Sequence, residues 1–204
     1  ESIAPIPEGV SFEIAAALPT PGLTAAQMVE RAALADGQRV LIHGAGGSVG
    51  SLAVQLAKAT RAHVAATAQG ADTEYVATLG ADTVVDTQRQ RFEDVVGELD
   101  AVLDLVGGEL QRRSWKALRS GGVLVSSVGL DGSNEQAQAE RRGVRAIAFF
   151  MQRSAHGLER LADLVAHDQL RVRIGKVLPF PQAREAQDLS QRGGAQGKIL
   201  MRVA

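Results

Sequence analysis

The residues with the clearest chemical potential form the run His43-Gly44-Ala45-Gly46-Gly47-Ser48-Val49-Gly50, in which Gly44, Gly47 and Gly50 stand three apart. That spacing suits a main-chain cradle for a diphosphate. One glycine must take an unusual φ to turn the chain off a strand, one must let the backbone approach the phosphates without a Cβ, and one must let the next helix pack closely on the sheet. We assign these tasks to Gly44, Gly47 and Gly50 in that order. A helix opening near Ser48 would then offer unpaired N–H groups and the positive end of its dipole to the ligand. A glycine-rich turn without a ligand is the alternative, and the strand before and helix after the run favour dinucleotide binding.

The choice of dinucleotide depends on the end of the second strand, Thr67-Ala68-Gln69-Gly70, where an acidic side chain would accept hydrogen bonds from the ribose of NAD. No carboxylate lies there, so NADP is favoured over NAD, with Thr67 and Gln69 as expected donors to the 2′-phosphate. Equally, the segment contains no Arg or Lys, and Arg61 lies at the other end of the strand. Ligands of such sheets sit beyond the carboxyl ends of the strands. That rule places Val106-Gly107-Gly108, Ser127-Val128-Gly129 and Phe149-Phe150 around the nicotinamide half.

The elements that position these residues follow from periodicity. Six short, β-branched or aliphatic runs without polar alternation, at about 38–43, 62–67, 82–85, 100–105, 121–127 and 143–150, read as strands buried on both faces. Helical patterns separate several of them: Val49, Leu52, Ala53 and Leu56 share one face, a second helix spans about 72–79 before Gly80, and a later one spans 154–167. The segment 131–142 reads as a loop and short solvated helix. The result is an α/β, doubly wound, six-stranded parallel sheet. Residues 1–36, with a helical run interrupted by Pro19, Pro21 and Gly22, and the strand-like runs 172–178 and 198–203 around a helix starting near Pro181, have no place in that core. They are expected to dock elsewhere.

Composition removes other classes. Hydrophobic residues at 45% and a charge of −1 from 22 basic and 23 acidic residues describe a chain with a core and no electrostatic footprint for nucleic acid or an anionic membrane. There is no cysteine, hence no thiolate nucleophile, disulfide or thiolate-bound zinc, which is compatible with a cytoplasmic protein. No apolar run approaches the ~20 residues of a membrane span. The one tyrosine, Tyr75, is followed four residues later by Leu79, so the Tyr-x-x-x-Lys pair of short-chain reductases is missing. His43 reads as a spacer or hydrogen-bonding residue, Asp100 and Asp104 as edge and turn carboxylates, and Trp115 as packing. No catalytic side chain is assigned.

Six stretches carry a resemblance: AAALPTPGLTAAQ (15–27), GQRVLIHGAGGSVGSLAVQLAKA (37–59), LGADTVVD (79–86), DAVLDLVGG (100–108), LRSGGVLVSSVG (118–129) and GKILMRV (197–203). Together they resemble the medium-chain dehydrogenase/reductase superfamily, in its zinc-free quinone oxidoreductase branch. The resemblance implies a Rossmann domain over 37–170, with 1–36 connecting from, and 171–204 returning to, a GroES-like front domain that is absent from this sequence. It implies NADPH-dependent reduction of a quinone or α,β-unsaturated carbonyl, with Thr24 near the nicotinamide and Gly47, Ser48, Val49 and Gly50 meeting the pyrophosphate. Thr20 and Pro21 stand where zinc-dependent members place a cysteine ligand, so catalytic zinc is not expected. The family's sixth strand pairs with its two-fold mate, which implies a homodimer through residues 143–150. The alternative is a non-catalytic nucleotide-binding or interaction module, such as a domain of a larger synthase or a paralogue without turnover.

Overall fold

A computed structural model describes residues 3–193 and 195–203; Glu1, Ser2, Gly194 and Ala204 lie outside the described residues. Along the chain run α1 (Phe12–Ala17), α2 (Pro19–Ala32), β1 (Arg39–Ile42), α3 (Ser48–Ala59), β2 (His63–Ala68), α4 (Asp72–Thr78), β3 (Thr83–Asp86), β4 (Leu99–Asp104), α5 (Gly108–Ala117), β5 (Leu118–Ser126), α6 (Ser133–Glu140), β6 (Arg145–Ala148), α7 (Ala155–Ala166), β7 (Ile174–Pro179), α8 (Ala183–Arg192) and β8 (Lys198–Arg202).

Six strands form one parallel sheet in the order β3-β2-β1-β4-β5-β6. The order reverses between β1 and β4, so the loops that follow these two strands diverge and leave a crevice at their carboxyl ends. Alternate residues of the central strands enter opposite cores. Val40, Ile42, Ala101, Leu103, Val123 and Val125 pack with α2 and α3 on one face, while Leu41, Val102 and Leu124 pack with Phe92 and Trp115 on the other. Burial on both sides is why these strands show no polar alternation.

Two expectations about the ends change. The N-terminal helical run is interrupted immediately before Pro19, where α1 ends, and not across Pro19, Pro21 and Gly22. Pro19 and Pro21 fall in the first turn of α2, where an N–H has no helical partner to lose, so they start it. Nor does this segment stand outside the core: Ala25 and Met28 of α2 are fully buried in the same cluster as β1 and β4. The C-terminal runs do stand apart, since β7 and β8 pair with each other as a two-stranded parallel sheet. The sixth strand is shorter than its apolar run. It ends at Ala148, so Phe149 is buried beyond it and Phe150 is 78% exposed.

Candidate functional site: a glycine cradle at the sheet crevice

The cradle is built by backbone. Gly44 turns the chain off β1 with φ +72°, and a Cβ there would lie 3.0 Å from Val106 Cγ2. Ala45 N–H then donates to the Thr67 carbonyl (2.9 Å), and Gly47 N–H to the Gly44 carbonyl (3.1 Å), which closes the turn. Gly47 is the extended N-cap of α3 and offers no side chain to the first turn of the helix, so those N–H groups remain available to an anion. Gly50 has no room for a Cβ, which would stand 2.3 Å from Gly44 O. A diphosphate of a dinucleotide fits this arrangement, because every position that would obstruct the main chain is a glycine. Gly46 is a fourth such position, outside the regular three-residue spacing. Its Cβ would meet the Asp72 side chain at 2.7 Å.

Beside the cradle lies a cleft of about 270 Å³ lined by Gly44, Gly46, Gly47, Thr67, Gln69, Asp72, Thr87 and Val106, among others. Thr67 sits in its wall with the hydroxyl turned inward, against the expectation that it donates to a 2′-phosphate. Its Oγ1 accepts from Gly44 N–H (3.3 Å) and lies 3.1 Å from His43 Nδ1. The buried imidazole competes successfully for that hydroxyl, and Thr67 becomes a pin for the cradle. Gln69 is exposed and faces the cleft. The acid of the cleft is Asp72, which lies beyond the segment 67–70 where a ribose-binding carboxylate is expected. It enters from the first turn of α4, where acidic residues are favoured.

His43 is fully buried, with Nε2 2.8 Å from Ser114 Oγ and the Phe92 ring edge-on at 5.0 Å. Ser114 Oγ donates to the Leu110 carbonyl (2.7 Å), so it accepts from Nε2–H, and Nδ1 must then accept from Thr67. The neutral ring is therefore the Nε2–H tautomer, and burial holds its pKa down to about 4. In the unfolded chain the group titrates near 6.5. Its stabilising effect is complete above that value and is lost as pH falls toward about 4, by up to about 3 kcal/mol. Glu93, held near 2 mainly by its hydrogen bonds to Arg113, adds loss only below about 4.5. We expect urea-unfolding stability to decline between pH 6.5 and 4.5, and His43→Gln to flatten that slope. An unchanged slope in the variant would refute this account.

The other half of the crevice is organised by Asp104, which reads in sequence as a turn carboxylate and is completely buried. It accepts from Val106 N–H (3.1 Å), Gly107 N–H (2.9 Å), Gln111 Nε2 (2.6 Å) and Ser126 Oγ (2.9 Å). Gln111, also fully buried, donates to the Gly129 carbonyl (2.8 Å) and accepts from Asp131 N–H. These two side chains lock the loop after β4 to the loop after β5. Val106 and Val128 remain about half exposed at the crevice, and a Cβ on Gly107 would touch Val128 Cγ2 at 3.2 Å. The structure thus brings Gly44, Val106, Gly107 and Val128 together. Ser127 N–H donates to the Asp104 carbonyl (3.1 Å) and Phe149 N–H to that of Ser126 (2.8 Å). Thr24 is buried in α2, its hydroxyl committed to the Thr20 carbonyl (2.7 Å), and it does not line the cleft. Among the described residues, no group of three or more His, Cys, Asp or Glu is placed to hold a metal ion, and no helix is long and apolar enough to cross a membrane.

Both the sequence and the fold have known relatives. The chain is 37% identical over 187 residues to the spectinabilin polyketide synthase system protein NorB of Streptomyces orinoci, a match covering 88% of the chain and 8% of that protein. It spans less than two thirds of the length of the curated relatives it matches. It superimposes on the quinone oxidoreductase from Coxiella burnetii with a TM-score of 0.91 at 34% identity, covering 98% of the chain and 63% of the other. The quinone oxidoreductase from Thermus thermophilus, solved also in complex with NADPH, gives 0.80 at 31% identity, with 98% and 68% covered. A family model described as zinc-binding dehydrogenase matches residues 79–201. The strand order, the glycine cradle at the reversal of that order and these matches agree: the chain belongs to the zinc-binding dehydrogenase family of oxidoreductases, within the medium-chain dehydrogenase/reductase superfamily.

Proposed function

We propose that this chain holds NADPH in an oxidoreductase that reduces a quinone or an α,β-unsaturated carbonyl without catalytic zinc. The observation that carries the reading is the cradle from Gly44 to Gly50, with Cβ-free approach and an uncapped helix start. The dinucleotide, when bound, supplies a hydride. Backbone N–H groups of Ser48, Val49 and Gly50 bind the diphosphate, Gly47 lets it approach the main chain, Gln69 meets the adenosine side, and Val106 and Val128 form an apolar wall that excludes water from the nicotinamide side. The likeness to the quinone oxidoreductases supports the substrate class. Side chains exposed at Ile3 (84%), Phe12 (83%) and Val203 (73%) support a front domain that would cover the terminal segments and complete the substrate cleft.

Isothermal titration with NADPH and NADH tests the reading, which fails if neither binds at millimolar concentration. The match to a polyketide synthase protein favours a second reading, a nucleotide-binding domain embedded in a larger synthase. Binding without NADPH oxidation by a model quinone or enone would select it. We propose further that β6, which ends the sheet, pairs with β6 of a second copy, since its outer edge leaves main-chain groups unpaired by the sheet. Small-angle scattering at high concentration should then give the mass of a dimer. A monomer would rule this out.

A further inference from the structure

The carboxylate that enters the cleft poses an electrostatic problem for a ligand carrying an additional phosphate. Asp72 lines the wall shared with Gln69 and fills the space that a Cβ on Gly46 would need. Alone it would repel a 2′-phosphate, and residues 67–70 contain no cation to offset it. The fold supplies one from 101 positions away. Arg173 Nη1 stands 2.7 Å from Asp72 Oδ1, with the two side chains only 17% and 23% exposed. The guanidinium lies over the Tyr75 ring at 3.9 Å. The main chain leading to it is clamped on α3, because Gln55 Oε1 accepts from Arg171 N–H (2.8 Å) and Gln55 Nε2 donates to the Arg171 carbonyl (3.0 Å).

We infer that Arg173, which stands behind Asp72 rather than in the cleft wall itself, is the phosphate-recognising residue of this site, selecting the 2′-phosphate of NADP over the free ribose hydroxyl of NAD. This rests on the dinucleotide reading and names its specificity residue. The contact with Asp72 uses one of five N–H donors, the Tyr75 ring fixes the plane of the fork, and the remaining donors suit a phosphate. Asp72 holds the guanidinium beside the cleft while no phosphate is there.

Titration calorimetry of the chain with 2′,5′-ADP and 5′-ADP separates the possibilities without any turnover. Arg173→Gln is expected to weaken 2′,5′-ADP about tenfold or more and 5′-ADP less than about twofold, while Arg173→Lys retains part of the preference. Asp72→Asn, which frees the guanidinium, should leave 2′,5′-ADP binding equal or tighter. An ion pair of purely structural value would weaken both ligands alike in both variants, and that result overturns the proposal. So does a wild-type chain that binds the two ligands equally. A wild-type chain that binds neither overturns the dinucleotide reading itself.

Discussion

Gly50→Ala should destroy both the fold of the cradle and its ligand binding. The new Cβ would lie 2.3 Å from Gly44 O and 2.6 Å from Ala45 Cα. Both obstacles are backbone, and Ala45 is tied to the Thr67 carbonyl of β2, so neither can swing aside. Relief requires lifting α3 from the sheet, where Leu52, Ala53 and Val54 are buried within 1% of completely. We expect a loss of about 3 kcal/mol or more in urea unfolding and no measurable NADPH binding. Gly47→Ala separates the two effects. Its φ of −76° suits any residue and its Cβ would be 3.3 Å from Gly44 O, a small adjustment. That variant should stay within about 1 kcal/mol of wild type yet bind NADPH at least about tenfold more weakly, because the methyl intrudes where the ligand approaches. Equal binding by Gly47→Ala and wild type would show that no diphosphate lies on this loop.

Asp104→Ala should be the most destabilising polar substitution. It removes the acceptor of two partly buried main-chain N–H groups and of the buried Ser126 hydroxyl, and takes one of the three acceptors of the Gln111 amide, a loss on the order of 3 kcal/mol. The consequence reaches the crevice, since the same carboxylate holds the turn that presents Val106 and Gly107. Asp104→Asn keeps the shape but replaces one acceptor by a donor facing donors, and should lose less. Chemical denaturation and NADPH titration check both effects. A stability loss below about 1 kcal/mol for Asp104→Ala would mean that the network does not hold these loops.

Much of this molecule is written locally. The six strands follow from continuous aliphatic runs, α3 and α7 from their apolar stripes, and the cradle from glycine spacing, because each is dictated by conformational preference and burial within about a dozen residues. Gly44, Gly47 and Gly50 could be assigned distinct tasks on that basis, and the positive φ of Gly44 and the missing space at Gly50 have the same local origin. What local pattern cannot carry is a partner chosen by packing. Thr67 reads as a free donor until His43 claims it, Asp104 reads as a turn residue until β5 and α5 close over it, and α2 reads as broken until its prolines fall in the first turn. The absence of a cation after β2 is a true statement about sequence and a misleading one about space. Arg173 reaches Asp72 only because α7 and Gln55 return the chain to that wall, and only the tertiary structure decides such a contact, since its energy depends on a distance that sequence separation does not encode.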